Sequence, residues 1–127
     1  MKVTSENNKQ IILYGIKSLT IVFKDKTEVV LNHIRTYDLD LKANELSSIT
    51  LSNALYDVEI INHFIGNKCN TIDFLHIEWN AYDLETGEIE SPIFYDIPCF
   101  MKIYDLRLFA LDEDSSDMNI VIKGDIY

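Results

Sequence analysis

The sequence predicts a mainly β protein, built as two packed antiparallel sheets or a partly closed β-barrel, with one α-helix. Three observations carry this prediction. Runs in which apolar and polar residues alternate recur along the chain, which is the period of a strand with one buried face. Only residues 52–65 change to a helical period. Gly and Pro are few (4 and 2) and 11% of the residues are aromatic, which argues against a disordered or low-complexity chain.

Residues 100–111 and 118–127 form the clearest predicted hairpin, around an acidic turn at residues 112–117. In the second run Met118, Ile120 and Ile122 share one face, which must meet a core. The side chains that we expect to be most buried include Leu75, Ile77, Trp79, Ile103, Leu106, Leu108, Ile120 and Ile122.

Shorter alternating runs predict the other strands. Asp25 and Lys26 suggest a tight turn after the second of them, and residues 83–87 turn the chain again. Pro92 indicates a sheet edge or a break in the ladder. The predicted strands are residues 10–16, 18–24, 27–34, 36–41, 47–51, 71–82 and 88–95.

The predicted helix covers residues 52–65. Ser52 or Asn53 is available as its N-cap, and Gly66 supplies a stop signal. The β-branched content of this segment leaves a strand over residues 57–62 as the alternative. The apolar residues that repeat at helical spacing are Leu55, Val58, Ile61 and Ile65.

The length of 127 residues is enough for one β-rich domain over residues 1–127, with residues 1–9 as a flexible N-terminal arm. The first ten residues are polar and lack the apolar core of a signal peptide. No run approaches the ~18 apolar residues that a membrane span needs. We therefore expect a protein made in the cytoplasm, without a membrane partner.

The net charge of -10 is the most informative bulk property. Residues 1–70 hold eight acidic and eight basic side chains, whereas residues 71–127 hold thirteen acidic and three basic ones. Such a field disfavours phosphate backbones and anionic lipid and favours basic partners, although a face that only keeps the protein soluble is the simpler interpretation. The predicted acidic surface consists of Asp83, Glu85, Glu88, Glu90, Asp112, Glu113, Asp114 and Asp117.

No residue set predicts a metal or disulfide site. Cys69 and Cys99 lack the CxxC spacing, and they do not make a zinc set with His33, His63 and His76. We expect two reduced thiols packed as small apolar side chains, with a disulfide as the alternative.

The sequence contains no complete catalytic motif either. His76 and Glu78 share a strand face, where a carboxylate can orient an imidazole, but no motif places a nucleophile beside them. The acidic residues around Gly87 and at 112–117 do not follow the ligand order of a calcium loop. The basic residues do not cluster with aromatics as a nucleic-acid stripe requires. We therefore predict no enzyme, no catalytic, metal or cofactor residues, and no specific nucleic-acid binding.

The closing segment resembles the tube-forming proteins of contractile phage tails and the related ring proteins of type VI secretion. The match runs from residues 97–98 through residues 104–108 and the acidic turn to residues 118–127, which end on an aromatic. The rest of the chain is similar only in element order, namely N-terminal strands, a central helix and a hairpin.

This resemblance implies a virion structural subunit that assembles with copies of itself and with other virion proteins. In such a family, subunits join through β-strands into a hexameric ring, and carboxylates that line the lumen let DNA slide without adhering. The alternative is a small acidic inhibitor or immunity protein that blocks a basic partner, since it uses the same charge asymmetry. Oligomeric state distinguishes the two hypotheses, because a tube subunit should self-associate strongly whereas an inhibitor should be a monomer or dimer.

Overall fold

The computed structural model describes residues 2–4, 8–43, 45–53, 62, 66, 71–90, 93–110 and 118–126. These residues are mainly β, as predicted. The strands are β1 (Lys2–Thr4), β2 (Gln10–Phe23), β3 (Glu28–Leu31), β4 (Ile34–Asp40), β5 (Leu46–Asn53), β6 (Thr71–Asp83), β7 (Ile93–Ala110) and β8 (Met118–Ile126).

All eight strands belong to one sheet with the order β1-β2-β6-β7-β8-β5-β4, and β3 pairs with β2 off this path. Every strand ladder is antiparallel. The prediction left two packed sheets and a partly closed barrel as alternatives; the described strands form one sheet, and within the described ranges no ladder joins β3 to β4 to close it.

The sheet folds over on itself. Tyr37 of β4 meets Trp79 of β6 in an edge-to-face contact, with ring centroids 5.7 Å apart. β4 and β6 are four ladder steps apart in the strand order, so a flat sheet would separate them by about 19 Å. Only a strongly curled sheet allows this contact, and the concave face of the curl encloses the core.

The core draws fully buried apolar side chains from both halves of the curl, such as Leu19 of β2 and Ile49 of β5. The predicted core is confirmed for six residues and holds in part for Leu106 and Leu108, which are half-buried and pack against it. The six are Leu75, Ile77, Trp79, Ile103, Ile120 and Ile122.

β2 is one strand of 14 residues where the sequence predicts two. Its register with β6 shifts between Leu13 and Gly15 and again between Ile16 and Ser18. Each shift inserts one extra residue, which interrupts the alternation without ending the strand. The inserted side chains, Tyr14 and Lys17, are both exposed.

β7 is likewise one strand of 18 residues, and two irregularities divide it. Ile103 pairs with Gly124 and Asp105 with Lys123, so Tyr104 is the extra residue of a bulge. The bulge explains why Ile103 and Leu106 both face the core, although strict alternation assigns them to opposite faces.

The second irregularity in β7 lies at Phe100. Phe74 pairs with Pro98 but Ile72 pairs with Met101, and Phe100 has a positive φ of 48°. β7 pairs with β6 from Ile93 to Lys102 and with β8 from Met101 onward, so Met101 and Lys102 pair with both neighbours. Pro98 lacks an N–H and is tolerated at such an irregular position.

The turn predicted at Asp25 and Lys26 is confirmed. The Asp25–Lys26 turn is closed by a hydrogen bond from the amide of Phe23 to the carbonyl of Thr27 (2.9 Å). The Asp25 carboxylate accepts a further bond from the Thr27 amide (3.0 Å), and Lys26 has a φ of 76°. Such an arrangement fixes the β2–β3 hairpin locally.

Two other predictions concern the helix and the N-terminal arm. The helix over residues 52–65 is not confirmed, because Ser52 and Asn53 belong to β5 and residues 54–61 and 63–65 lie outside the described residues. In the N-terminal arm, Lys2–Thr4 form β1 and are held in the sheet by pairing with β2. Val3 packs against the core, which is the physical reason that this part of the arm is ordered.

Cys99 is a free, fully buried cysteine on β7, as predicted. Burial disfavours the charged thiolate and raises the pKa of its thiol to about 11. Cys69 lies outside the described residues.

Replacing Gly124 with Ala should destabilise the protein. A Cβ at this position would lie 2.2 Å from the carbonyl oxygen of Lys102, next to the bulge in β7. Because backbone must move to relieve this overlap, we expect Gly124→Ala to lower the free energy of unfolding by about 1 to 3 kcal/mol.

Gly15→Ala is the matched control in urea denaturation. A Cβ there meets only the Asn80 amide nitrogen, at an ordinary 3.8 Å. The control should leave the midpoint unchanged or raise it slightly. Equal midpoints for the two variants would show that the bulge does not press on Gly124.

Candidate assembly surface

Four of the eight residues in the predicted acidic surface lie in described segments. Glu85 and Glu88 are exposed, Glu90 is partly buried, and Asp83 is only 7% exposed. The remaining four, Asp112, Glu113, Asp114 and Asp117, lie outside the described residues.

The Asp83 side chain is buried and stabilises a turn. Its Oδ1 accepts hydrogen bonds from the amides of Glu85 (2.8 Å) and Thr86 (3.4 Å). Its backbone carbonyl accepts from the amide of Gly87 (2.8 Å), whose φ of +72° suits glycine. This turn ends β6 and sends the chain back toward β7. The Asp83 carboxylate is thus engaged inside the turn.

The charge asymmetry of the sequence is partly cancelled in the fold. β2, from the neutral first half of the chain, lies directly against β6. Lys17 pairs with Glu78 (Nζ–Oε1 3.4 Å), and Lys9 pairs with Glu90 (3.5 Å). Such partly exposed pairs contribute up to about 1 kcal/mol each, but they remove two carboxylates from the uncompensated set. Within the described residues, Glu78 and Glu90 of the acidic half are therefore paired with lysines of the neutral half.

His76 pairs with Asp96 of β7 through Nδ1 and Oδ1, and not with Glu78. Its ring stacks on Phe94 with centroids 5.3 Å apart and an interplanar angle of 14°. Glu78 is held instead by Lys17 and by the hydroxyl of Ser18 (3.2 Å). The arrangement considered in the sequence, an imidazole oriented by Glu78, is therefore absent.

A shallow depression of about 300 Å³ surrounds His76 on the outer face of the sheet. Glu28 of β3 lies across it from Asp96, so two carboxylates flank an aromatic surface. This arrangement suits a cationic side chain better than an anion. The lining residues are Thr20, Val22, Glu28, Phe74, His76 and Asp96.

In the described part of the chain, no group of three or more His, Cys, Asp and Glu side chains is placed to hold a metal ion. No helix in it has the length and apolar character that a membrane crossing demands.

In the described part of the sheet, four segments pair on one side only: β1 and β3, which both pair with β2 alone, the end strand β4, and residues 93–98 of β7. β4 is the last strand of the ladder order and pairs with β5 on one side. Residues 93–98 of β7 pair with β6 on one side, and β8 pairs only with β7 from Met101 onward. Each edge thus presents backbone groups that no described strand pairs.

The side chains at these edges are unusually exposed for large residues. On β7, Phe94 is 54% exposed and Tyr95 is 42% exposed, and on β4 Tyr37 is 42% exposed. Exposed edges with aromatic side chains are the kind of surface that pairs with another chain. The β7 edge was not predicted, because the sequence pattern assigned residues 88–95 and 100–111 to separate strands. That one 18-residue strand extends beyond its pairing with β8 can be seen only when both neighbouring strands are placed.

Comparison of this chain with protein-family models, with curated proteins and with solved structures found no match.

Removing the Asp83 carboxylate should weaken the fold. Asp83→Ala leaves two turn amides without their buried acceptor, so we expect the free energy of unfolding to fall by about 1 to 2 kcal/mol. Glu85→Ala, which removes an exposed carboxylate from the same turn, should change it by less than about 0.5 kcal/mol. Thermal or urea unfolding of the two variants measures these changes in the free energy of unfolding. Equal losses would mean that Asp83 acts only through surface charge.

Proposed function

We propose that the protein is a non-enzymatic structural subunit that assembles with copies of itself into rings through the edges of its sheet. The observation that carries this proposal is that two unlike open edges, β4 and residues 93–98, present exposed aromatic side chains. A contact that joins unlike surfaces is heterologous, and it generates a ring when the rotation between subunits closes.

The finer proposal is a tail-tube-like virion subunit, located in the virion after synthesis in the host cytoplasm. Its supports are the resemblance of the closing hairpin and the net charge of -10. Exposed carboxylates such as Glu85 and Glu88 would repel phosphate, so DNA could pass such a ring without adhering. Its partners are further copies of the chain and other virion proteins, with no membrane and no specific nucleic-acid site.

A second candidate is an acidic inhibitor or immunity protein that binds a basic partner. The depression around His76 favours it, because Glu28 and Asp96 lie beside the aromatic ring of Phe74. A lysine or arginine side chain from a partner would gain both charge pairing and a contact with an aromatic face. Such a protein does not need to self-associate.

Light scattering and negative-stain microscopy across a salt series distinguish the ring subunit from the inhibitor. The ring proposal predicts self-association that strengthens as ionic strength rises, because like charges on neighbouring subunits are screened. The inhibitor predicts a monomer or dimer whose affinity for its basic partner falls with salt. A monomer at every protein and salt concentration would contradict the ring.

A pair of lysine substitutions tests the edge itself. Thr36 is exposed on the edge strand β4, whereas Thr50 is exposed on β5, which pairs with β4 and β8. Lysine on an edge strand opposes strand addition. We therefore expect Thr36→Lys to abolish self-association and Thr50→Lys, with the same charge change, to preserve it. Equal effects would assign the change to net charge instead of the β4 edge.

A further inference from the structure

The ladder registers explain the shape of the depression around His76 on the outer face of the sheet. Val22 of β2 lies between Glu28 of β3 and Phe74 of β6, and Thr20 of β2 lies beside His76. Because β2 presents short side chains in both rows, the longer side chains of β3 and β6 extend above them on either side. Val22 is only 7% exposed and forms an apolar floor.

His76 presents a hydrogen-bond acceptor to this depression. Its Nδ1 pairs with Oδ1 of Asp96, so the neutral ring carries its proton on Nδ1 and Nε2 keeps its lone pair. The two nitrogens of an imidazole point in nearly opposite directions. With Nδ1 toward β7, Nε2 therefore faces the β2 side, where Thr20 lines the depression. The His76 side chain is 41% exposed, and Nε2 is not among the buried atoms that lack a partner.

Glu28 supplies the opposite wall with an unneutralised charge. Its side chain is exposed and has no ion pair or hydrogen bond within the part of the chain that the structure describes. Glu28 lies two ladder steps and two residues away from His76, so the Cα atoms are about 12 Å apart. A carboxylate and an imidazole that extend toward each other over this distance leave room for one planar group between them.

These two acceptors lie away from the edge proposed for assembly. Glu28 is on β3, three ladder steps or about 14 Å from β7. Among the described lining residues, Asp96 alone belongs to residues 93–98, and its carboxylate already pairs with His76. An added strand would pair with the backbone of residues 93–98 in the plane of the sheet, so it would leave the outer face at β3 uncovered.

A guanidinium group fits this pair of acceptors better than an ammonium group. It is planar and carries N–H donors on more than one side, so it can donate to the Glu28 carboxylate and to His76 Nε2 together. Its flat face can lie on the ring of Phe74, while the aliphatic stem covers Val22. An ammonium group is a compact, strongly hydrated charge without a face that stacks.

The surroundings of the depression favour a peptide over a small guanidine compound. The depression is shallow, with a volume of about 300 Å³. Val30, which pairs with Thr20 beside it, is 45% exposed. A small compound would leave Val30 in water, whereas an apolar side chain next to the arginine of a peptide would pack on it.

We propose that this depression binds an arginine side chain from an exposed, basic segment of a partner protein, with the guanidinium held between the Glu28 carboxylate and His76 Nε2. The inference rests on the second candidate function, the inhibitor of a basic partner, and names the chemistry of that partner. It does not depend on self-association, which the salt series tests separately.

Three capped peptides test the site: leucine–arginine–leucine, and the same peptide with lysine or citrulline at its centre. Citrulline has the shape of arginine without its charge. The titration follows the ring resonances of His76 in ¹H–¹³C spectra at pH 8, above the range in which an imidazole ordinarily titrates. The arginine peptide should shift them in a saturable manner, and the other two should bind at least about fivefold more weakly. Absence of a saturable shift with the arginine peptide overturns the proposal.

A pair of glutamine substitutions locates the charge. Glu28→Gln preserves the size of the side chain and removes its charge, so binding of the arginine peptide should weaken about tenfold. Glu85→Gln makes the same change in net charge on the exposed turn after β6, and should change binding by less than about twofold. Equal losses would assign the binding to net charge and contradict the site.

The imidazole has its own variant. His76→Phe keeps a ring beside Phe94 but removes the acceptor, so binding of the arginine peptide should weaken about fivefold when intrinsic tyrosine and tryptophan fluorescence is the readout. An unchanged affinity would show that Nε2 makes no contact with the guanidinium, and the proposed geometry would be wrong.

Two further outcomes separate this site from the function on which it rests. If the arginine and lysine peptides bind equally and Glu28→Gln affects neither, the protein attracts cations elsewhere, so the inhibitor candidate survives and this site does not. If N-acetylarginine amide binds as tightly as the arginine peptide, the apolar neighbour contributes nothing and a peptide is not the occupant.

Discussion

The connection between β3 and β4 constrains the whole sheet. β3 pairs with β2 near one end of the strand order, β4 lies at the other end, and only Asn32 and His33 separate them in sequence. Three Cα–Cα steps span at most about 11 Å. In a flat sheet the same two strands would lie six ladder steps, or about 29 Å, apart. The sheet must therefore curl until its ends approach, and the apolar faces of β2, β6, β5 and β8 then enclose one core.

The bulges provide the local means for this curl. Extra residues at Tyr14, Lys17 and Tyr104, together with the irregularity at Phe100, increase twist and bend along the two longest strands. Gly124 permits the close approach of β8 to the carbonyl of Lys102 next to one of them. At its bend, β7 also passes from β6 to β8 as its paired neighbour, so residues 93–98 keep one open edge. Curling thus produces both the core and the surfaces proposed for assembly.

The sequence predicts the strands with regular alternation and fails where alternation is interrupted. β8 has unbroken period-two burial, and β6 has it from Phe74 to Asp83; their core residues, such as Ile77 and Ile122, are those expected. β2 and β7 are each split in the prediction, because one inserted residue reverses the pattern while the backbone continues. No local signal in a single sequence marks where a bulge falls.

The candidate surface was harder to predict because it depends on pairings between distant residues. His76 lies opposite Asp96, and Lys17 reaches Glu78, only because β6 is flanked by β7 and β2. Counting charges along the sequence therefore overstates the uncompensated negative charge of residues 71–127. It also assigns Asp83 to a surface, although the spacing of Asp83 from Gly87 would fit a side chain that caps its own turn.

Amide hydrogen exchange tests the central claim, that a curled sheet holds one core and leaves β4 and residues 93–98 open. At low protein concentration we expect slow exchange for amides of β6 and β8 that pair within the sheet. Fast exchange is expected for the outward amides of β4 and of residues 93–98. At high protein concentration and salt, protection should appear at these two edges alone. Slow exchange at both edges in dilute protein would contradict an open sheet, and fast exchange throughout β6 would contradict the core.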